Sequence, residues 1–336
     1  MVVAAADRIT GVPALKAKRL TRGGNNVTIL LETASGPIVA KHYPTTPGDD
    51  RDRFHAETAA LQFMHDHGID CVPSPVGNDP ESRVAIMDGR GQPASVDACD
   101  ADINACVGFI GHLHDARTLT GAGDIALAAE ACPAPYDVID QVTARRERLS
   151  VAADSDENLR AFLADAFDPA MDWHRMAALE TLGNAGIAPD QALARMQLTL
   201  SASDFGLHNA VRRDDGSLVF VDFEYFGWDD PVRVVSDFIL HPGQRLTDAQ
   251  KQRFASASTA LYIVGDAHFS TRLGAIFPLV ALRWCMILLN PFLPERVARR
   301  RAAGDTGALD EVLAGQLEKA HRLLADLEHN KRLLTD

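Results

Sequence analysis

Basic residues are in deficit: the 336-residue chain carries 33 Lys and Arg against 46 Asp and Glu, a formal net charge of -13. A surface of that sign repels phosphate backbones and anionic lipid, so nucleic-acid and membrane-surface binding are excluded as first readings. The basic run ERVARRRAAG, Glu295 to Gly304, reads as a solvated helix face. Cysteine is sparse and unpatterned. Cys71, Cys99, Cys106, Cys132 and Cys285 are odd in number, lack C-x-x-C spacing and lack His partners at zinc-like intervals, which argues against a disulfide framework or a zinc module. They read as reduced core thiols, and the short apolar patch of MVVAAADRIT is no export signal, so a cytoplasmic protein is expected. No apolar run reaches the roughly 20 residues that span a bilayer. The longest, Ile276 to Asn290, holds Pro278 and Arg283 and predicts a buried helix. Aromatic residues make up only 6% of the chain, and there is no internal repeat or low-complexity segment. What remains, with 46% apolar residues, is a globular chain able to bury a large core.

The first ninety residues read as strands with one helix. KRLTRGGNNVTILLETASGPIVAKHY, Lys18 to Tyr43, is a hairpin stack with a Gly/Asn-rich turn at one end. In DRFHAETAALQFMHDHG, Phe54, Ala60, Leu61 and Met64 recur at helical spacing and Gly68 stops the run, while RVAIMDG is a further strand. After GRGQPAS the character turns helical through to the Leu-rich tail. One β excursion interrupts it: NAVRRDDGSLVFVDFEY, whose Asp215-Gly216 turn between apolar runs is a hairpin signal. The domains expected are residues 1–88, strands plus one helix, and residues 89–336, mainly helical.

That hairpin carries the chemistry. Asp204 precedes it, Asn209 stands five residues later at its entry, and Asp222 ends its second strand in VDFE. Phosphoryl transfer asks little covalent chemistry of a protein: a carboxylate to orient or deprotonate the attacking hydroxyl, and oxygen ligands holding magnesium on the phosphates. An Asn carbonyl and an Asp carboxylate are hard donors of the right kind. The literal Asp-Phe-Gly at Asp204 suggests a metal aspartate, but that role needs a D-x-x-x-x-N loop a short hairpin upstream. Asp190 is followed five residues later by Arg195. Asp204 therefore reads as the catalytic aspartate, with Asn209 and Asp222 as metal ligands.

These residues resemble the aminoglycoside phosphotransferase and choline kinase-like small-molecule kinases, distant relatives of protein kinases. DFGLHN, VDFEYFGWDDP and the helix FIGHLHDAR carry the resemblance, which extends from Leu20 to about Pro242. It implies an α+β, bilobal protein kinase-like fold: a small β-rich N-terminal ATP-binding lobe and a larger helical C-terminal lobe with the catalytic loop and metal-binding hairpin. It also implies ATP and Mg2+ as cofactors and a small-molecule hydroxyl as acceptor. By the same resemblance Lys41 of IVAK meets the ATP phosphates and Glu57 of FHAETAAL pairs with it. Gly23 and Gly24 of TRGGNN cover the phosphates, and Met87 and Asp88 form the hinge that meets adenine. Where many relatives carry His two residues before the catalytic Asp, this chain has Ala202.

For the acceptor, Glu224, Tyr225, Trp228 and Asp229 follow closely on the metal aspartate. Carboxylates beside aromatic faces suit a cation, and DFEY is similar to choline and ethanolamine kinases. Equally, Tyr225 and Trp228 can pack the loop while Asp230-Pro231 caps the next helix. A closed aromatic cage is hard to assemble from so few aromatics, so the favoured acceptor is a sugar or amino sugar, and a choline or ethanolamine-type amino alcohol is the alternative. Ala202 and the irregular glycine turn keep open a third reading, a catalytically inactive nucleotide-binding pseudokinase.

Overall fold

The computed structural model describes residues 2–20, 26–45, 51–297 and 309–334. Gly23 and Gly24, and most of the basic run before Gly304, lie outside the described residues. The chain divides into two compact units. The first is Met1–Ala131 with Thr199–Asp229 and Gly243–Arg245, and the second is Cys132–Leu198 with Asp230–Pro242 and Leu246–Asp336.

In the first unit an antiparallel sheet has the order β1-β2-β3-β5-β4, from Lys16–Leu20 (β1), Val27–Thr33 (β2), Gly36–His42 (β3), Pro75–Asp79 (β4) and Val84–Asp88 (β5). The strands expected between Lys18 and Tyr43 are present, with β1 beginning two residues earlier, and the strand expected to end at Gly89 ends at Asp88. Helix α1 (Val2–Thr10) puts Val2, Ala5 and Ala6 into a core with Leu31, Ala40, Val84 and Ile86. Neither α1 nor β4 is foreseeable from local pattern. The first is nine residues long, and every residue of PVGND except Val76 is a poor strand former. Tertiary contact explains both: a Cβ at Gly77 would meet the Ile9 side chain at 2.6 Å, so glycine lets the helix close on the strand. Helix α2 (Arg53–Asp66) is N-capped by Asp52, which accepts from His55 N at 3.2 Å, and Gly68, at φ +72°, follows its end.

The same unit holds α3 (Asp100–Ala116), a three-stranded sheet of β6 (Gln92–Pro93), β8 (Ala210–Arg212) and β9 (Leu218–Phe220), and the pair β7 (Thr199–Ser201) with β10 (Gly227–Asp229). The β8–β9 hairpin turns at Gly216, φ +86°, as its Asp-Gly signal predicts. Buried Asp102 ties α3 to this hairpin, accepting from Cys99 N at 3.0 Å and from Arg212 Nη2 at 2.7 Å. Burial alone would raise its pKa, but the Cys99 N–H and the Arg212 guanidinium prevail and lower it. Its contribution to stability is therefore present above the ordinary carboxylate value of about 3.9 and lost as pH falls through the lowered one. Asp102→Asn is expected to cost about 1.5–3 kcal/mol at neutral pH. Urea melts at pH 7 and pH 3 check this, the gap between the two proteins narrowing at the lower pH.

The second unit is helical: α4 (Pro135–Ala153), α5 (Glu157–Ala161), α6 (Asp168–Asn184), α7 (Pro231–Leu240), α8 (Asp248–Tyr262), α9 (Phe269–Leu288), and the helices Leu309–Ala325 and Leu327–Arg332. Helix α9 is central, packing against α4, α6, α7 and Leu309–Ala325. It begins before the apolar run expected as a buried helix. Arg272, which breaks the hydropathic pattern, is buried and neutralised by Asp230 at 2.8 Å and by Asp266. Phe269–Phe292 is long and apolar enough to cross a membrane by composition, yet 78% of its most apolar window is buried in protein. The cysteines are all free thiols; Cys106, Cys132 and Cys285 are core residues, whereas Cys99, at the N-terminus of α3, is exposed. The α+β class expected from the sequence is the one observed.

Candidate active site

Strand β3 carries Lys41 inward, and α2 brings Glu57 against it. Lys41 Nζ lies 2.6 Å from Glu57 Oε2 and 2.7 Å from Asp222 Oδ1. Lys41 and Glu57 are buried, at 6% and 0% exposure. Burial alone would pull the lysine pKa down, but the charges of Glu57 and then Asp222 outweigh it and hold the ammonium above its ordinary value. Glu57 moves upward because burial penalises its carboxylate more than Lys41 relieves it. Two further donors complete its surroundings: Tyr43 OH donates to Oε2 at 2.5 Å, and Phe223 N donates to Oε1 at 3.3 Å. Tyr43 was missed from the sequence, although it stands two residues after Lys41 and so on the same face of an extended segment.

The loop between β7 and β8 presents Asp204 and Asn209. Ser203 takes φ +65° immediately before Asp204, and Asp222 itself takes φ +75°. Non-glycine residues in this region are uncommon and cluster at functional sites. Asn209 Nδ2 donates to the Asp204 carbonyl at 3.0 Å, and the Asn209 carbonyl accepts from Val221 N at 2.9 Å. The second bond extends the β8–β9 register, which joins Ala210 to Phe220, and so brings Asn209 level with the residue before Asp222. Each aspartate is followed by a phenylalanine anchored on α3: Phe205 and Phe223 lie 5.5 and 6.1 Å from the ring of Phe109, which stacks on Phe220 at 4.5 Å. The Asp-Phe pairs are thus fixed by one aromatic cluster.

Lys41, Asp204, Asn209, Asp222, Met87 and Asp88 all line one cavity of about 650 Å³ in the first unit. The Asp88 carboxylate accepts from Arg90 Nε at 2.9 Å and faces Arg213 at 3.5 Å. His114, in the helix FIGHLHDAR, is a packed residue whose imidazole burial lowers to about 4, leaving it neutral.

The four acceptor candidates divide. Glu224 and Tyr225 line the cavity, but partners from the chain already engage them. Glu224 accepts from Asn26 Nδ2 at 2.9 Å and lies 3.7 Å from Arg53, and the guanidiniums of Arg51 and Arg53 sit 5.4 and 5.9 Å from the Tyr225 ring centre. Burial first, then Glu224, push the Tyr225 phenol up to about 12. Trp228 and Asp229 are not brought to the cavity. Both are buried in β10, paired with Leu200 and Thr199, and Trp228 Nε1 donates to Ala122 O at 2.9 Å.

A hairpin-borne Asn and Asp beside a lysine–glutamate pair, on an α+β frame, define a phosphotransferase of the kinase-like class. A model of the phosphotransferase enzyme family matches residues 16–262. The chain belongs to that family, one of small-molecule kinases acting on hydroxyl acceptors. No curated protein matches by sequence. Among solved structures, spectinomycin phosphotransferase with ADP and spectinomycin matches at TM-score 0.62 and 11% identity, over 96% of this chain and 97% of that one. Choline kinase LicA from Streptococcus pneumoniae matches at 0.58 and 14%, over 95% and 97%. Choline kinase from Cryptosporidium parvum Iowa II matches at 0.56 and 10%, over 94% and 89%. At such identities the likeness is one of fold, here a small antiparallel-sheet N-lobe and a helical C-lobe.

Proposed function

We propose that this protein transfers the γ-phosphoryl group of ATP to a hydroxyl of a sugar or amino sugar, with magnesium. The observation that carries the reading is a single cavity holding a buried Lys41 bound to both Glu57 and Asp222, together with Asp204 and Asn209. Asp204 accepts the proton of the acceptor hydroxyl as its oxygen attacks the γ-phosphorus, and ADP departs. Lys41, held by Glu57, bears on the α- and β-phosphates. The backbone of Met87 and Asp88 meets adenine, with the lobes divided after residue 88, and Gly23 and Gly24 let the β1–β2 turn approach the phosphates. Solved relatives with ADP or AMP support nucleotide as the donor.

The donor set fits magnesium. Among the described residues, Asn209 spends its Nδ2 on the Asp204 carbonyl and keeps Oδ1, while Asp222 spends Oδ1 on Lys41 and keeps Oδ2. Both remaining atoms are hard oxygens, with phosphate and water to complete six-fold coordination. When bound, the ion neutralises charge on the transferring phosphates. Asp222→Ala is expected to weaken Mg-ATP binding about 10- to 100-fold, or about 1.4–2.8 kcal/mol. Calorimetric titration checks this; unchanged affinity removes Asp222 from the metal site.

Sugar is favoured over a quaternary amine because Arg51 and Arg53 already take the cation positions over Tyr225, and Asn26 and Arg53 hold Glu224. The free thiols support a reducing compartment, the cytoplasm. A nucleotide-binding protein without turnover is the second reading, favoured by Ala202. Thermal shift with ATP, with and without magnesium, followed by assay of ATP consumption against sugars and amino alcohols, separates the two.

A further inference from the structure

We propose that Tyr43 is a positioning residue for the phosphate-binding lysine, its phenol O–H holding the Glu57 carboxylate so that Oε2 stays turned toward Lys41 while Lys41 engages ATP. The inference rests on the reading of Lys41 and Glu57 as the pair that bears on the α- and β-phosphates. Glu57 is 0% exposed, and among the described residues three donors reach it. Lys41 Nζ and Tyr43 OH share Oε2 at 2.6 and 2.5 Å, whereas Oε1 receives only the longer bond from Phe223 N, at 3.3 Å. Lys41 has divided ties, since Nζ also donates to Asp222 Oδ1 at 2.7 Å. A phosphate oxygen arriving at the ammonium competes with both carboxylates for its three N–H donors. The Tyr43 hydroxyl has a single proton and donates it to Glu57, so its hold does not loosen when the lysine turns to phosphate.

The phenol is itself fixed from both ends. Tyr43 N donates to the Arg83 carbonyl at 3.1 Å, and the Tyr43 carbonyl accepts from Arg83 Nε at 3.1 Å. Its ring, 1% exposed, meets the ring of Phe54 edge-on, with 5.9 Å between centres and 68° between planes. Phe54 stands three residues before Glu57 on α2, so the ring packs against the same helix face that presents the carboxylate. The Lys41 ammonium lies 5.5 Å from the centre of the Tyr43 ring, within cation-π reach. Tyr43 therefore touches both members of the pair, with its ring on the ammonium and its hydroxyl on the carboxylate. Burial, then the charge of Glu57, hold the phenol well above its ordinary value, so the O–H stays a donor. Phenylalanine at this position keeps the ring and loses only the hydroxyl, which isolates the one hydrogen bond.

The test is calorimetric titration of wild type, Tyr43→Phe, Glu57→Gln and the double variant with two probes: Mg-ATP, which carries phosphates, and adenosine, which does not. Tyr43→Phe is expected to weaken Mg-ATP binding about 10-fold, the lower end of what a hydrogen bond to a charged group contributes, and to leave adenosine binding unchanged. In the Glu57→Gln background the same substitution should change Mg-ATP affinity by less than about twofold, because it acts through the carboxylate. Wild-type Mg-ATP affinity in Tyr43→Phe, alongside a loss in Glu57→Gln, overturns the inference alone. Equal weakening of Mg-ATP and adenosine also overturns it, because a loosened fold rather than a turned carboxylate then accounts for the loss. Unchanged Mg-ATP affinity in Glu57→Gln overturns the reading of the pair and this inference with it.

Discussion

Asp204→Asn is expected to lower turnover about 10²- to 10⁴-fold, the usual contribution of a positioned acid–base group, while leaving nucleotide affinity nearly unchanged. Asparagine keeps the side-chain shape and an oxygen for His208 Nε2 at 2.9 Å, so the loop survives. What it loses is the capacity to take a proton. ATP affinity is spared because the polar contacts of Lys41 run to Glu57 and Asp222 rather than to Asp204. Steady-state kinetics on an identified acceptor, together with ATP titration, check both halves. A rate within twofold of wild type would remove Asp204 from the chemistry.

The second large effect is on stability. Lys41→Met leaves Glu57, at 0% exposure, without its counter-ion and releases Asp222 as well. Breaking a buried pair by removing one partner costs about 3–5 kcal/mol. Burial then drives Glu57 to take up a proton, and Tyr43 OH remains its hydrogen-bonding neighbour. The pH dependence has a definite sign. The folded-state pKa of Lys41 lies above its ordinary value, so its contribution is complete below the unfolded lysine value of about 10.4 and declines only above it. Chemical denaturation at pH 7 should show nearly the full loss in Lys41→Met, and ATP should no longer raise its Tm. A loss below about 1 kcal/mol would mean that the buried pair relaxes into solvent. Double substitution with Glu57→Gln should recover part of the loss, because the uncompensated carboxylate is then gone.

That Asp204, Asn209 and Asp222 come together was legible because their positions are fixed by local geometry. A hairpin with an Asp-Gly turn sets the register from Ala210 to Phe220, and that register determines which flanking residues meet. Lys41 and Glu57 come from separate elements, and the resemblance rather than the local pattern joined them. The acceptor candidates were less legible for a physical reason. Composition says that Glu224 and Tyr225 suit a cation, but not that Arg51 and Arg53, more than 160 positions earlier, supply it. Trp228 and Asp229 share the polarity and aromaticity of a binding loop, yet the pairing of β10 with β7 buries both. His208 and Ala202 illustrate the same limit. From sequence the missing upstream His weakens the site, whereas in the folded loop an imidazole from the other side lies against the carboxylate.

The most direct test is phosphoryl transfer itself. The purified protein is incubated with ATP and a panel of sugars, amino sugars, choline and ethanolamine, with and without magnesium, and products are read by mass spectrometry for the gain of one phosphoryl group. The account predicts magnesium-dependent phosphorylation of a sugar or amino sugar hydroxyl that disappears in Asp204→Asn. ATP-stabilised protein with no transfer to any acceptor, or transfer that persists undiminished in Asp204→Asn, would contradict it.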